Sequence, residues 1–494
     1  MRQPATVPRL RPDGRRVALV VGILALALAL RLAFVSAEPY HAINDAGTYN
    51  RLASMISRYG DYHTGSGPHS GAGGSRGPSA YFPPAFPYLL AVADLIDGHT
   101  SGGPTAVPAE RIEMAALGTL SVGLCGLVAL EAFGEGPALA ALMIAAIYPV
   151  FIELSGTLVA ENLVVALELA AAWAALRARR AAGRRAWAWL ATAGLLAGLC
   201  ALAHENAVLY ILPLAVAGWG VARDRGYGGV RAWAASLVVV ACAALAIAPW
   251  TIRNAIELHA FVPISDETGI TLAGTYNPES AANPRLPYKW RLYLKIPQLR
   301  RFRIQARHET ELELSNKLQG EALHYIEAHP LAPLEVFASN TLRMLELRGS
   351  FAWHASAAAI GLRISVARVG IYAFWLAALA AIAGLFTRAA RAAPRWLWAM
   401  PLLYWISIAP INVETPRFRE PIDPFVVMLA GCALAAALSR LRSGLGRAPV
   451  RGDRRPRQGP RAGQLVQVRE RPAGSDRHAG QRGVGVSDRH PGLA

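Results

Sequence analysis

Apolar residues in this chain gather into long segments that are separated by short polar stretches. Segments of about 17–25 apolar residues are typical of transmembrane helices, because a helix satisfies its own backbone hydrogen bonds inside lipid. The pattern therefore predicts an all-α polytopic membrane protein with about 10–11 transmembrane helices. The ten clearest segments, of which the sixth and the ninth are short, are Val17–Ser36, Arg111–Phe133, Pro137–Ser155, Leu158–Leu176, Trp187–Ala203, Asn206–Val221, Ala232–Trp250, Ser365–Phe386, Trp396–Ile411 and Pro421–Leu441.

Arginine clusters between the segments predict the orientation of the helices. They precede the first segment and follow the fourth, sixth, eighth and tenth. With ten spans all of them fall on one side, which the positive-inside rule assigns to the cytoplasm. Both termini are then cytoplasmic, and we expect a multi-pass protein of a bacterial-type plasma (inner) membrane. The first segment is interpreted as a retained signal anchor, because no Ala-x-Ala cleavage site follows it.

A further apolar segment, Tyr81–Ile96, leaves the number of spans open. If it crossed the membrane, the arginines between Arg177 and Arg185 would lie outside. Because it is short and rich in proline, we interpret it as an interfacial helix on the outer face. An eleven-span topology is the alternative.

This topology divides the chain into regions and places the two long loops outside. The chemistry is therefore expected on the outer face. The regions are a basic cytoplasmic N-terminus (1–16), an N-terminal transmembrane region (17–252) with a first outer, catalytic loop (37–109), a large outer loop (253–364) with helical patterns at Glu311–Ala328 and Leu331–Leu347, the C-terminal transmembrane helices (365–441) and a disordered basic cytoplasmic tail (442–494).

Composition and charge exclude several classes of protein. The net charge of +17 would indicate nucleic-acid binding in a soluble protein, but positive-inside topology explains most of it here. We therefore predict contact with membrane lipids and no nucleic-acid partner. All four cysteines lie inside apolar spans, which argues against a disulfide framework or a thiolate metal site. The chain has no phosphate-binding glycine loop and no His-Glu-x-x-His motif, so nucleotide-driven transport and zinc peptidase activity have no support.

Asp45 is the first candidate for chemistry. It lies in the polar run after the first span, just outside the membrane. A carboxylate at this place is able to act as a general base toward an incoming hydroxyl or amine. The alternatives are a solvated loop residue and the N-cap of a helix over residues 46–58.

Two arginines, Arg417 and Arg419, lie on the outer side between the last two spans, against the positive-inside trend. Guanidinium groups bind phosphate oxygens through paired hydrogen bonds, so an anion site is one interpretation. Pairing with Glu414 or Glu420 is the other.

Other ionisable residues occupy the outer ends of spans. His204 and Glu205 interrupt an apolar run at membrane depth, where ionisable residues are functional candidates; a short outer turn is the alternative. Glu161 either faces a cavity or extends toward the interface. Arg253 either holds an anionic headgroup or caps carbonyl groups at a helix end.

Four motifs that run from the first outer loop to the last span resemble those of the membrane-embedded GT-C glycosyltransferases. The most similar branch is the bacterial one related to protein O-mannosyltransferases and the lipid A aminoarabinose transferase. The motifs are Asp45-Ala-Gly-Thr-Tyr49, Phe82-Pro-Pro-Ala-Phe-Pro-Tyr-Leu-Leu-Ala91, Ala248-Pro-Trp-Thr-Ile-Arg-Asn254 with Phe261-Val-Pro-Ile264, and Arg417-Phe-Arg-Glu-Pro-Ile-Asp-Pro424. The chain departs from many relatives at Ala46 and at His204-Glu205.

The resemblance implies a GT-C-like bundle with outer-face loops and interfacial helices. It also implies an inverting transfer of a sugar from a polyprenyl-phosphate donor to an envelope glycan, lipid or protein acceptor on the outer face. Asp45 matches the base of the family. No cofactor follows with certainty, and a divalent metal is possible since some relatives use one, although no ligand set is apparent. The implied donor-phosphate residues are Arg417, Arg419 and Arg253, and the implied substrate-cavity residues are Tyr49, Glu161, His204 and Glu205.

Two other functions are compatible with the same features. A transporter or flippase of a lipid-linked glycan would share the helices and outer charges, but it needs access from both faces. The short inner loops count against it. A silent scaffold in an envelope complex is the third interpretation, and loss of activity on changing Asp45 would exclude it.

Overall fold

The computed structural model describes residues 14–63, 77–98, 108–302 and 309–445, and this part of the chain is helical, with no β-strand. The prediction of an all-α fold is confirmed. The predicted tail beyond residue 445 and the basic N-terminus before residue 14 lie outside the described residues. The helices are α1 (Gly14–Ala37), α2 (Asn44–Tyr59), α3 (Ala85–Ile96), α4 (Pro108–Phe133), α5 (Glu135–Ile147), α6 (Pro149–Leu154), α7 (Glu161–Arg180), α8 (Arg184–Ala203), α9 (Ile211–Asp224), α10 (Gly229–Glu257), α11 (Thr268–Thr275), α12 (Pro278–Ala281), α13 (Glu311–Ala328), α14 (Ala332–Met344), α15 (Ser350–Ala359), α16 (Ile364–Leu385), α17 (Arg388–Ala392), α18 (Arg395–Ile408) and α19 (Asp423–Leu445).

Seven helices in the described ranges are long and apolar enough to cross a membrane, when α9 is counted together with the 3-10 helix Glu205–Tyr210 that precedes it. They correspond to seven of the ten predicted spans. The other three predicted spans correspond to α5 with α6, to α7 and to α18. Helix α7 carries charged residues at both ends, and α18 has 14 residues. The chain is thus a multi-pass membrane protein by the length and composition of its helices.

The predicted third span, Pro137–Ser155, is two helices and not one. Helix α5 ends before Tyr148, and α6 starts at Pro149. Proline lacks the backbone N–H that would continue the helix, but it suits a first helical turn.

Small residues set the close packing of the membrane helices. A side-chain β-carbon at Gly194 of α8 would come within 2.3 Å of the carbonyl oxygen of Val239 in α10, and one at Gly198 within 2.4 Å of Ala243 O. Glycine at such positions lets helix backbones approach closely, which is how helices associate in a lipid environment.

A charged residue inside the first span also joins helices. Arg31 of α1 is fully buried and donates hydrogen bonds to the hydroxyl of Ser155 (3.2 Å) and to the carbonyl oxygen of Ala146 (3.3 Å). These contacts hold α1 against the chain around α5 and α6, so the start of the first outer loop is fixed relative to the bundle.

The two long loops predicted to lie outside form helices of their own. The first contains α2 and α3, which pack together, with Asp94 of α3 accepting hydrogen bonds from Ser54 and Ser57 of α2. Helix α3 has 12 residues, so it measures about 18 Å and is too short to cross the apolar core.

The second long loop contains α11 to α15. The predicted helix Glu311–Ala328 is present with those bounds, and it begins at a capping box of Thr310 and Glu313. The predicted pattern Leu331–Leu347 corresponds to α14, Ala332–Met344.

Candidate active site

Asp45 lies in the first turn of α2, where the chain leaves the first span and folds back over the bundle. Ile43 is the N-cap of this helix, so Asp45 is not its cap. The positive end of the helix dipole favours a carboxylate at this position. The Asp45 side chain is 35% exposed, which leaves it accessible to a substrate. One turn later, Tyr49 is buried against Phe82, with ring centroids 4.6 Å apart.

Arg417 connects Asp45 to the membrane bundle. Its Nη1 donates to Asp45 Oδ2 at 2.6 Å, and its Nε donates to both oxygens of Glu161 at 2.8 and 2.9 Å. Burial disfavours the charged guanidinium, but Glu161 and Asp45 outweigh that effect and hold the pKa of Arg417 well above its usual value. The phenol of Tyr49 and the ring of Phe418 complete the surroundings of the guanidinium.

These contacts change two expectations for Arg417. The alternative that it pairs with Glu414 or Glu420 is wrong, because its partners are Asp45 and Glu161. Glu414 instead accepts from Lys289 at 2.5 Å. Two carboxylates already occupy the guanidinium, so Arg417 acts as the link between them and is not an open phosphate site.

A cavity of about 490 Å³ opens beside Asp45. Three of the four predicted substrate-cavity residues, Tyr49, His204 and Glu205, line it together with Asp45 and Arg417. The fourth, Glu161, is fully buried behind Arg417 and does not line the cavity. Aromatic and basic side chains form much of the remaining wall, namely Tyr81, Phe82, Trp290, Phe418, Lys289, Arg291 and Lys295.

The other two predicted phosphate-binding arginines lie away from this cavity. Arg419 is buried and binds Glu346 (2.9 Å) and Asp423 (3.1 Å). Arg253 donates to the carbonyl oxygens of Ser79 (2.8 Å) and Tyr62 (3.1 Å), which belong to the first loop and not to a helix end as the capping alternative expected. Arg419 therefore joins α19 to the large loop, and Arg253 joins α10 to the first loop.

Three basic residues that the sequence analysis missed, Lys289, Arg291 and Lys295, line the cavity from the large loop. Lys289 is paired with Glu414, whereas Arg291 and Lys295 have no acidic partner among the described residues. Their alternation with aromatic and aliphatic residues, in a loop predicted to lie outside, is the signal that could have indicated them.

The acidic side of the cavity contains Glu205 and Glu267 beside Asp45. The hydroxyl of Ser265 donates to Glu205. Burial, with the charges of Glu205 and Asp45, raises the pKa of Glu267 well above its usual value. Burial also lowers the pKa of His204, although the charge of Glu161 acts in the opposite direction. Within the described ranges, no group of three or more His, Cys, Asp or Glu is placed to hold a metal ion.

A buried pair of carboxyl groups holds the first loop in place next to the cavity. Glu311 accepts hydrogen bonds from the Ser79 hydroxyl (2.8 Å) and the Ala80 N–H (2.9 Å), just before the cavity residue Tyr81. The Asp266 N–H donates to Ala80 O at 3.1 Å, and its carboxyl contacts Glu311. Burial, reinforced by the charge of Glu311, raises the pKa of Asp266 well above its usual value.

We expect this pair to make stability fall as pH rises. Folding raises the pKa of Asp266, so its contribution is complete below the unfolded value of about 4 and is lost as pH rises through the folded value. In Asp266→Asn the amide cannot ionise. Thermal unfolding of the solubilised protein is measured between pH 5 and pH 9. The unfolding temperature of the variant should rise relative to that of wild type as the pH increases. The exposed Asp61→Asn is the control, and parallel curves for Asp266→Asn and wild type would contradict the assignment.

Two comparisons at the level of sequence were made with known proteins, one against family models and one against curated proteins. The model of the family described as dolichyl-phosphate-mannose-protein mannosyltransferase matches residues 82–252, which is less than half of the chain. A search of curated protein sequences finds no match.

Solved structures match over most of the chain. The oligosaccharyltransferase AglB from Archaeoglobus fulgidus, in complex with an inhibitory peptide and a dolichol-phosphate, is 17% identical with a TM-score of 0.51; the match covers 88% of this chain and 52% of that one. The Archaeoglobus fulgidus oligosaccharyltransferase tethered with an acceptor peptide is 18% identical with a TM-score of 0.52, over 88% and 51% of the two chains. This chain therefore spans about half the length of those enzymes.

A third structure, ArnT from Cupriavidus metallidurans bound to undecaprenyl phosphate, is 15% identical over 89% of this chain and 80% of that one. Its TM-score of 0.39 is too low to support an argument. The oligosaccharyltransferase structures agree with the helical fold described above. By its fold, the chain is similar to these membrane oligosaccharyltransferases, and residues 82–252 match the mannosyltransferase family model.

Proposed function

We propose that the protein transfers a sugar from a polyprenyl-phosphate donor to an envelope glycan, lipid or protein acceptor on the outer face of the membrane, with inversion at the anomeric carbon. The observation that carries the proposal is the carboxylate of Asp45. It lines a cavity of about 490 Å³ at the end of the bundle, and Arg417 holds one of its oxygens at 2.6 Å. The GT-C fold and the family match to residues 82–252 support the choice of reaction.

In the proposed reaction Asp45 accepts the proton of the acceptor hydroxyl. The hydroxyl oxygen then forms a bond to the anomeric carbon from the face opposite the phosphate. The bond between that carbon and the phosphate oxygen breaks, and polyprenyl phosphate leaves with the electron pair. Arg417 and Glu161 position the base, since a carboxylate must meet the hydroxyl at hydrogen-bond distance to take its proton.

The leaving phosphate needs positive charge, and we assign this role to Arg291 and Lys295. Both line the cavity and have no acidic partner among the described residues. Cations near a developing phosphate charge stabilise the transition state. The predicted phosphate-binding residues are already bound to protein groups, namely Arg417, Arg419 and Arg253. We therefore assign phosphate binding to residues of the large loop instead. Trp290, Tyr81 and Phe82 offer flat apolar surfaces for the sugar ring.

We expect Arg291→Gln and Lys295→Gln each to raise the KM for the polyprenyl-phosphate sugar by about tenfold or more, because each removes a charge-assisted hydrogen bond. Steady-state kinetics with a synthetic donor measures the effect. Arg300→Gln is the matched control, because Arg300 is exposed in the same stretch of chain and does not line the cavity. An unchanged KM in both cavity variants would exclude these residues from phosphate binding.

The proposed reaction is tested with purified protein, a panel of synthetic polyprenyl-phosphate sugars carrying a radiolabel, and extracted envelope acceptors. Transfer of label to an acceptor, with inverted configuration in the product by NMR, is the expected result. If the donors bind but no label moves to any acceptor, the glycosyltransferase proposal fails. Movement of intact donor across a vesicle membrane would then favour a flippase.

A further inference from the structure

A second and larger cavity lies in the membrane part of the fold. It is a groove of about 1510 Å³ between α5, α16 and α19, and it shares no lining residue with the cavity beside Asp45. We call it the arginine-ended groove. Its apolar lining includes Ile144 and Ile147 of α5, Ala373, Ala377 and Ala380 of α16, and Ala433 of α19.

The dimensions of this groove fit an acyl chain. Its lining on α16 and just beyond runs from Ala373 to Phe386, about 20 Å at the rise of a helix. One leaflet of the apolar core is about 15 Å deep. Ile147 and Leu376, which line the groove, are exposed, so the groove opens sideways toward lipid.

One end of the groove is positively charged. Arg388, Arg391 and Arg440 line it there, at the end of the bundle opposite Asp45 in the predicted topology. The acidic residues of neighbouring turns are paired with other arginines, since Glu135 binds Arg16 at 2.8 Å.

The second acidic residue near this end of the groove, Glu131, is likewise paired with another arginine, Arg177, at 3.2 Å. Arg391 donates to the carbonyl oxygen of Phe386 at 2.9 Å, and Arg388 is exposed with no partner among the described residues. A cationic rim above an apolar groove is complementary to a lipid with an anionic headgroup.

We propose that the arginine-ended groove binds one anionic glycerophospholipid from the leaflet at the arginine end. Its phosphate lies against the guanidinium of Arg388, which is able to donate two hydrogen bonds to phosphate oxygens. The acyl chains lie along the alanines of α16 and α19, where small side chains leave room for them. The lipid site is independent of the sugar transfer proposed above.

The test uses full-length protein reconstituted with an equal mixture of phosphatidylglycerol and phosphatidylcholine. The protein is then extracted in mild detergent, and the lipid that it retains is identified by native mass spectrometry. Wild type should retain phosphatidylglycerol over phosphatidylcholine. Arg388→Gln should lower that preference by about fivefold, the scale for one arginine at an anionic lipid surface. Arg395→Gln, an exposed arginine near the same end that does not line the groove, should leave it unchanged.

A second variant tests the apolar part. Ala380→Phe fills the groove and should abolish retention, whereas Leu379→Phe on the exposed face of α16 should not. Equal retention of both lipids by wild type, or full retention by Ala380→Phe, would overturn the proposal. So would stoichiometric displacement of phosphatidylglycerol by polyprenyl phosphate, which would make the groove a donor-chain site, or a lipid-free dimer, which would make it an interface.

Discussion

The purified variant Asp45→Asn should insert and bind donor but transfer sugar about 10²–10⁴ times more slowly than wild type, the usual contribution of a general base. An amide has no site that takes a proton at neutral pH, yet it keeps the size of the carboxyl and an oxygen for Arg417. The measurement is kcat with a radiolabelled polyprenyl-phosphate sugar, beside donor binding by the same preparation.

Asp61→Asn is the matched control, because Asp61 is an exposed aspartate of the same loop. It should keep wild-type turnover. Near-normal turnover by Asp45→Asn would remove the base from the proposed mechanism, and a loss of donor binding equal to the loss of turnover would indicate a misfolded cavity.

Arg417→Met should destabilise the protein by about 3–5 kcal/mol, the usual result of leaving a buried charge without its partner. The Arg417 side chain is 8% exposed and that of Glu161 is fully buried, so water cannot replace the lost partner. Thermal unfolding of the solubilised protein measures the change. Transfer should fall as well, because Asp45 loses the group that positions it.

The double variant Glu161→Gln, Arg417→Met separates charge from packing. It removes both members of the buried pair and should recover much of the stability lost in Arg417→Met alone. The exposed Arg300→Met is the control for loss of a single arginine. If Arg417→Met unfolds at the same temperature as wild type, the contact with Glu161 has no stabilising role.

The bundle could be predicted from the sequence because the requirement for apolar helices in lipid is local. Stretches of about twenty apolar residues identify a span without knowledge of its neighbours. The third span shows where the pattern was incomplete. Pro149 lies inside a continuous apolar segment, but the missing N–H divides it into α5 and α6. The position of the proline in the sequence could have indicated this division.

The site could be predicted only in part, because its contacts join distant segments. A predicted position near the outer face was enough to indicate Asp45, His204 and Glu205, all of which line the cavity. The partners of an arginine cannot be read from its neighbours in sequence, so Arg417 was expected to pair locally or to bind phosphate. The approach of Arg291 to the cavity depends on how the large loop folds over the bundle.

The separation of Arg417 from its partners has a consequence for biosynthesis. Its two carboxylate partners precede it by 372 and 256 positions, so both are translated long before it. A nascent chain that has inserted α7 carries Glu161 among apolar helices before the guanidinium of Arg417 is present to pair with it. The segment that contains Arg417 therefore balances the charge of Glu161 and completes the contact with Asp45. A chain that ends before residue 417 keeps the buried Glu161 but lacks the guanidinium that balances its charge.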